Sequence, residues 1–419
     1  MLNERLVRDH PERIRATLRR RHAGAEAEQA LEMWLTLDAQ RRDLATRHDE
    51  LARSVVANPR TSATGATAQT RAVERERQVA ANAVASLAAQ QRDLLLRLPN
   101  IPDARTPDGF NAADNVERAR WGVTAAFEDP PRRHDDLAVA HGLLDPKRAV
   151  ALSGSRFPLL VGRGARLQRV LSAMMLEMHT ARGYVEIAPP HLLRNATLLG
   201  SGHLPRFADD LYTLRDDGLS LSPTAEAQLV ALHANETLDV TTLPLAYTAA
   251  TPSFRREAGS SGSATRGLLR QHQFEKVELV RIVTPESADV AFDSIRADAE
   301  AVLRRLELPY RVVALCAGEL PFSAQRTHDL EVWMPGMGGY VEISSVSDCG
   351  QFQARRLNMR YRPTGGGRSR YPHTLNGSAL AVGRTIAALL ENGQRADGSV
   401  RLPAALHEVM GADTLRVGG

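Results

Sequence analysis

Between residues 27 and 98 apolar side chains recur at seven-residue steps on both sides of a single break. Ala30, Leu37, Leu44 and Leu51 form one series; Trp34, Arg41, His48 and Val55, less apolar, run beside it and read as flanking positions. Asn58-Pro59 and a stretch of small residues to Thr70 interrupt the pattern, and Val73, Ala80, Leu87 and Leu94 resume it. A seven-residue repeat holds one stripe of a helix against a partner. Two such repeats around a turn therefore predict an antiparallel coiled-coil hairpin. The second seam is rich in alanine, which allows close approach but buries less surface. Leu98-Pro99-Asn100-Ile101-Pro102 ends the second helix, because proline has no N–H to continue it. Acids and arginines nearly balance in this segment, so its charge leaves dimer packing and nucleic-acid contact equally open. Arg53, Arg60, Arg71, Arg75 and Arg77 gather toward the tip, where a local basic patch suits phosphates.

The rest of the 419 residues reads differently. Residues 103–122 carry Pro107, Gly109 and polar side chains and read as a linker. Beyond them, helical spacing runs from Leu167 to His179. Short alternating segments run over Leu211 to Leu214, Val277 to Val283, Tyr310 to Leu315, Leu330 to Met334 and Tyr340 to Ser344. Asn376 to Asn392 opens with small residues and reads as a helix. Strands without a regular strand–helix alternation predict an α+β fold with a mostly antiparallel sheet flanked by helices. No apolar run reaches about 18 residues, so no membrane span is expected. The charged start MLNERLVRDHPERI lacks a signal core, and two cysteines, Cys316 and Cys349, suit a reducing cytoplasm rather than a disulfide framework. A net charge of +4 tolerates a polyanionic partner without demanding one.

Four segments carry chemistry. Phe254 to Glu278 starts with Arg255, Arg256 and Glu257, crosses a turn of Gly259, Ser260, Ser261, Gly262 and Ser263, and returns through Arg266 and Arg270. Arginine forks match phosphate oxygens and stay charged. Phe274 and Glu278 lie four apart on a strand and share a face, so a base can stack on one while an amine meets the other. Glu342 and Ser344 are read on one face of a strand, with Ser345 turning in at its end; a carboxylate and a hydroxyl suit Mg²⁺ when phosphates complete its shell. Thr374 to Thr385 presents small residues before a helix that carries Arg384, a place for close ligand or backbone approach. Thr224-Ala225-Glu226 offers a hydroxyl and a carboxylate at a helix start, where Thr224 is equally suited to capping.

In order, these segments resemble the seryl-tRNA synthetases of class II. The resemblance spans the chain: the helical hairpin, LSGSRFPLLVGRGARLQRVL, the dimer-interface motif GYVEIAPP, GSGHLPRFADDLY, LSPTAEAQLVALH, FRREAGSSGSATRGLLRQHQFEKVELV, DLEVWMPGMGGYVEISSVS, FQARR and HTLNGSALAVGRTIAALLENGQRADGS. It implies a tRNA-binding arm over residues 1–102 with the hairpin at about 27–98, a linker at 103–122 and a class II catalytic domain at 123–419. It implies ATP-dependent attachment of serine to serine tRNA, and to selenocysteine tRNA where present, through seryl-adenylate, in a cytoplasmic homodimer using Mg²⁺.

By the same resemblance Arg256 holds the α-phosphate and the serine carboxylate, so Arg256→Ala should abolish adenylate formation. Glu257 meets the adenine amino group, Arg255 and Gln271 flank the nucleotide, and Phe274 and Arg384 cover the two faces of adenine, Arg384 also reaching the γ-phosphate. Glu342, Ile343, Ser344 and Ser345 belong to the ATP site, with Glu342 and Ser345 toward the metal. Thr224, Ala225, Glu226, Glu278 and Ser378 form the serine pocket, with Thr374 and Asn376 behind. The tip arginines face tRNA. His203, Gln271, Val346 and Ala379 depart from the family's usual residues. A duplicated copy serving secondary metabolism and an idle regulatory paralogue are the alternatives.

Overall fold

The computed structural model describes residues 1–56, 68–258 and 266–417. The Asn58-Pro59 break, Arg60 and the Gly259–Ser263 turn lie outside the described residues. The chain divides into two compact units, Met1–Ile101 and Pro102–Gly419.

The first unit is helical: α1 (Glu4–Asp9), α2 (Pro11–Arg20), α3 (Gly24–Val56) and α4 (Ala68–Leu95). Asn3 caps α1 by accepting from Arg5 N at 3.0 Å. Asp38 on α3 accepts from Gln91 Nε2 on α4 at 3.2 Å, and Arg47 Nη2 meets Glu76 Oε1 at 2.7 Å, so α3 and α4 run antiparallel. The seam differs from its reading in one respect. Trp34 is 0% exposed, and Arg41 and His48 are half-buried, so that series faces inward rather than flanking. Steps of four and three from Ala30 to Trp34 to Leu37 supply both stripes that a two-helix seam needs. Asp38 also sits inside, 2% exposed and held by Arg8 through two 2.7 Å bonds. The Arg8 bond, ahead of the opposing effect of burial, lowers its carboxyl to about 2.

The second unit is built on an eight-stranded sheet. Its strands are β1 (Val116–Trp121), β2 (Val185–Glu186), β3 (Leu245–Phe254), β4 (Gln273–Val283), β5 (Tyr310–Ala314), β6 (Arg326–Met334), β7 (Gly339–Asp348) and β8 (His373–Ala381). They lie in the order β1-β5-β6-β7-β8-β4-β3-β2. The β2–β3 pair is parallel and the other pairs are antiparallel. The flanking helices include α5 (His134–Ala140), α6 (Arg163–Thr180), α7 (Glu226–Ala231), α8 (Ala288–Arg305) and α9 (Val382–Gly393). Alternation sorts the central strands: Val277 and Leu279 of β4 join Leu171, Phe292, Ile295 and Ile386 in one core. Phe274, Lys276 and Glu278 turn to the opposite face and line a cavity. Among the described residues no helix is long and apolar enough to cross a membrane.

Two segments depart from the sequence reading. Residues 103–122 are not a free linker, for β1 pairs with β5 and Thr106 Oγ1 donates to Gln325 O at 2.9 Å. An edge strand with both faces exposed has a polar composition, and polarity alone cannot separate it from a linker. Asn376 to Ala381 belongs to β8, and the helix starts only at Val382. Gly377 is needed there because an added Cβ would come 2.7 Å from Ile295 Cγ2 on α8.

Candidate active site

The cavity has a volume of about 510 Å³ and opens on the face of β4, β7 and β8 away from the helical core. One end is acidic. Glu278 lies in register with Ser378 of β8 on one side and Ala249 of β3 on the other. Thr224 Oγ1 donates to Glu278 Oε2 at 3.0 Å and accepts from Glu226 N at 3.2 Å. The hydroxyl thus caps the turn and holds the Glu278 carboxylate, but Thr224 and Ala225 are buried and do not themselves line the cavity. Gln353 Nε2 donates to Glu226 Oε1 at 2.7 Å, and Thr374 Oγ1 donates to Gln353 Oε1 at 2.6 Å. Thr374 therefore acts on the pocket through Gln353. Asn376 and Ser378 line the wall directly. Burial, followed by the charge of Glu278, pushes the Glu226 carboxyl up to about 7.

Lys276 lies between Phe274 and Glu278 on the same face and ion-pairs with Glu278. The sequence reading passed over it. Its signal was present: the two-residue alternation 274, 276, 278, and the fact that Lys147 and Lys276 are the only lysines. Lys276 supplies the positive charge that two neighbouring carboxylates require. His203 also lines this end, its Nδ1 2.8 Å from Ser201 Oγ. Burial, and then Arg255 and Lys276, lowers it to about 3, so its imidazole is neutral.

The lining also carries arginines. Arg255 lines the cavity with its guanidinium 5.3 Å from the Phe274 ring centre and Nε donating to Pro223 O at 3.2 Å. Arg256 does not line it. Its Nε donates to Leu211 O at 3.0 Å and its guanidinium lies over Tyr212. Neighbours on extended chain point to opposite sides, and Arg255 has the inward side. Glu257, at φ +51°, accepts from Arg270 Nη1 at 3.2 Å and so ties the outgoing arm to the returning one. Gln271 is buried at the wall. Arg384, in the first turn of α9, donates to Glu342 O at 2.6 Å, and its Nη1 is 3.4 Å from Glu342 Oε2.

The β6–β7 pair carries a bulge that changes the expected faces. Glu342 is opposite Glu331 and Ser344 opposite Leu330, so Ile343 is the extra residue. Glu342, Ile343 and Ser345 reach the cavity, whereas Ser344 donates to Ser378 O. The expected sharing of one face by Glu342 and Ser344 fails for that reason. Asp329 lies in register with Ser345, and its Oδ1 is buried without a partner. Burial, with Glu342 adding to it, raises the Asp329 carboxyl well above the usual range. Among the described residues no group of three His, Cys, Asp or Glu could hold a metal alone. The oxygen donors of Glu342, Ser345 and Asp329 nevertheless suit a hard cation that draws its remaining ligands from water and phosphate.

In the first unit Arg53, Arg71 and Arg75 are exposed, while Arg77 is occupied by Glu74 through two bonds of 3.0 and 2.5 Å.

An antiparallel sheet with arginines and acids lining one cavity is the arrangement expected of a class II synthetase core. Residues 212–393 match the family model described as tRNA synthetase class II core domain (G, H, P, S and T). Over nearly its whole length the chain is similar to serine–tRNA ligases. It is 46% identical to that of Nitratidesulfovibrio vulgaris strain Hildenborough, over 98% of each chain. It is 47% identical to that of Synechococcus sp. strain WH7803, over 99% of this chain and 100% of the other. The structure superposes on seryl-tRNA synthetase from Pyrococcus horikoshii complexed with ATP, with a TM-score of 0.92, 34% identity and 100% of both chains covered. The chain belongs to the serine–tRNA ligase family.

Proposed function

We propose that this protein activates L-serine with ATP and passes the seryl group to the 3′ end of serine tRNA. The observation that carries this is one cavity lined both by the carboxylates Glu226 and Glu278 and by Arg255 and Arg384, with Phe274 and Glu278 four residues apart on the same face of β4. The serine ammonium faces Glu226 and Glu278. Its hydroxyl meets the Glu278 and Ser378 groups, with Thr224 holding Glu278 in place, and alanine forfeits those bonds; a matched hydroxyl of this kind discriminates by up to roughly 10⁴. The carboxylate attacks the α-phosphorus in line, the bond to pyrophosphate breaks, and the enzyme supplies no covalent nucleophile. Arg255, braced by Phe274 and Pro223 O, takes the α-phosphate role that the resemblance implies for Arg256, and Arg384 covers the base. Glu257 and Gln271 complete the nucleotide end. Mg²⁺ would be held by Glu342 and Ser345 with Asp329 beside them, adding positive charge near the phosphates.

The exposed tip arginines Arg53, Arg71 and Arg75 suit contact with a tRNA backbone, which reads shape more than sequence. GYVEIAPP places exposed Val185 in the short edge strand β2, and Leu192, seven residues further on, is exposed as well, which favours a homodimer through this edge. The cytoplasm is the compartment that suits such an enzyme. The presence of Arg255, Glu278, Glu342 and Arg384 in the cavity favours an active ligase over an idle paralogue.

Serine-dependent ATP–pyrophosphate exchange tests the reading. Wild type should exchange with serine and not with alanine. Arg255→Ala should lose about a hundredfold or more in exchange rate, and Arg256→Ala much less. Equal losses would remove Arg255 from the α-phosphate, and exchange with threonine but not serine would overturn the pocket.

A further inference from the structure

A histidine outside the cavity holds one of its walls. His134 opens α5 and is fully buried. Its Nδ1 lies 2.8 Å from Glu391 Oε1 on α9. The buried Glu391 carboxylate also accepts from the backbone N–H of His134 at 2.9 Å and of Gly336 at 2.7 Å. On the opposite side of the ring, Leu268 N donates to His134 Nε2 at 3.3 Å. These bonds fix the tautomer: Nδ1–H donates to the carboxylate and the Nε2 lone pair accepts.

Leu268 is not an isolated contact. The returning arm is docked at four successive residues. Arg266 Nη2 is 2.9 Å from Asp135 Oδ2. Gly267, at φ +70°, presses on the ring so closely that an added Cβ would come 2.4 Å from His134 Nε2. Leu268 makes the bond just described, and Leu269 O accepts from Arg384 Nε at 3.2 Å. Leu268, Leu269, Arg270 and Gln271 then line the cavity, and Arg270 reaches Glu257.

We propose that His134 is a positioning residue for nucleotide binding: its Nε2 lone pair sets the returning arm at the place from which Arg270 holds Glu257 and Leu269 holds Arg384. The inference rests on the reading of this end of the cavity as the ATP site. His134 does not reach the cavity and touches no reacting atom. It acts by joining a backbone N–H on the arm to a buried carboxylate on α9, a task that needs a donor and an acceptor on one rigid ring.

Two substitutions separate positioning from packing. His134→Asn keeps a donor near Nδ1 for Glu391 and removes the acceptor at Nε2. His134→Gln brings its carbonyl near Nε2 and gives up the bond to Glu391. Losing the one bond to the arm should raise the KM for ATP in exchange, and the ATP dissociation constant by calorimetry, about tenfold in His134→Asn. The KM for serine should stay within about twofold, since its pocket is untouched. His134→Gln should hold the KM for ATP within about threefold while its Tm falls, because Glu391 loses a partner. Parallel rises in both KM values, or ATP affinities that simply follow Tm in the two variants, would overturn the proposal. A wild type that binds ATP without serine-dependent exchange would instead sink the function proposed above, and the variants' ATP affinities would still decide the role of His134.

Discussion

Glu226 is where a single proton matters most. Its folded value of about 7 stands above the ordinary glutamate value of about 4.3, so the folded state holds this proton more tightly than the unfolded chain. The sign follows. Below about pH 4 both states are protonated and nothing is lost; between about 4 and 7 the unfolded chain ionises first, and stability falls as pH rises. Glu226→Gln removes that penalty. The variant should gain on the order of 1–2 kcal/mol relative to wild type between pH 5 and pH 8, read as a growing difference in Tm. A difference independent of pH would mean that Glu226 is ionised throughout. The sequence made Glu226 a candidate but could not give its charge state, which depends on its burial and then on Glu278 and Lys276 around it. The same limit applied to Arg255 and Arg256. Two adjacent arginines are equivalent on paper, and only the direction of the chain at the end of β3 makes one of them face the cavity.

At the scale of elements, spacing was read well where the backbone was regular and badly where it was not. Phe274 and Glu278 share a face because β4 has no interruption between them. Glu342 and Ser344 do not, because the bulge at Ile343 shifts the alternation, and no residue there announces it. The helical arm gave up its heptad but not the buried Trp34, since its seven-residue series continues through Arg41 and His48, polar residues that read as easily from the solvent side of the seam. Asp38 was equally hidden. A carboxylate inside a two-helix seam is unfavourable until Arg8 from α1 and Gln91 from α4 meet it. It therefore works as a pin between three elements. Its depressed value means that this contribution is present above about pH 4 and fades as the pH falls toward 2. Asp38→Asn should cost about 1–2 kcal/mol at pH 7, given that Arg8 is partly exposed. Hydrogen exchange should show faster amide turnover around Asp38 and Gln91 with the strands unaffected; unchanged protection would deny the pin.

For the molecule as a whole, the separation of a helical unit from a sheet-based unit implies separable tasks. A chain without residues 1–101 should keep serine-dependent exchange within about threefold. It should lose about a hundredfold in serine-tRNA acylation, because phosphate contacts that position a tRNA add up along the arm. Unimpaired acylation would remove the arm from tRNA binding, and lost exchange would show that the units depend on each other. The class of fold was legible because several motifs appear in a fixed order over the chain, each tied to a strand or helix start. The boundary of the sheet was not, because its outermost strand looks like solvent-exposed linker. That strand has a consequence of its own. β1 offers unpaired backbone along its free side, the usual template for chains to stack into aggregates. Here Glu117 pairs with Arg120 at 2.9 Å and Arg311 at 3.5 Å, and the ladder slips between Glu117 and Ala119. A charged, kinked rim of this kind gives a second copy no flat ladder to extend. The polarity that disguised the strand is thus also what keeps a large, open-edged sheet from fibril growth at that side.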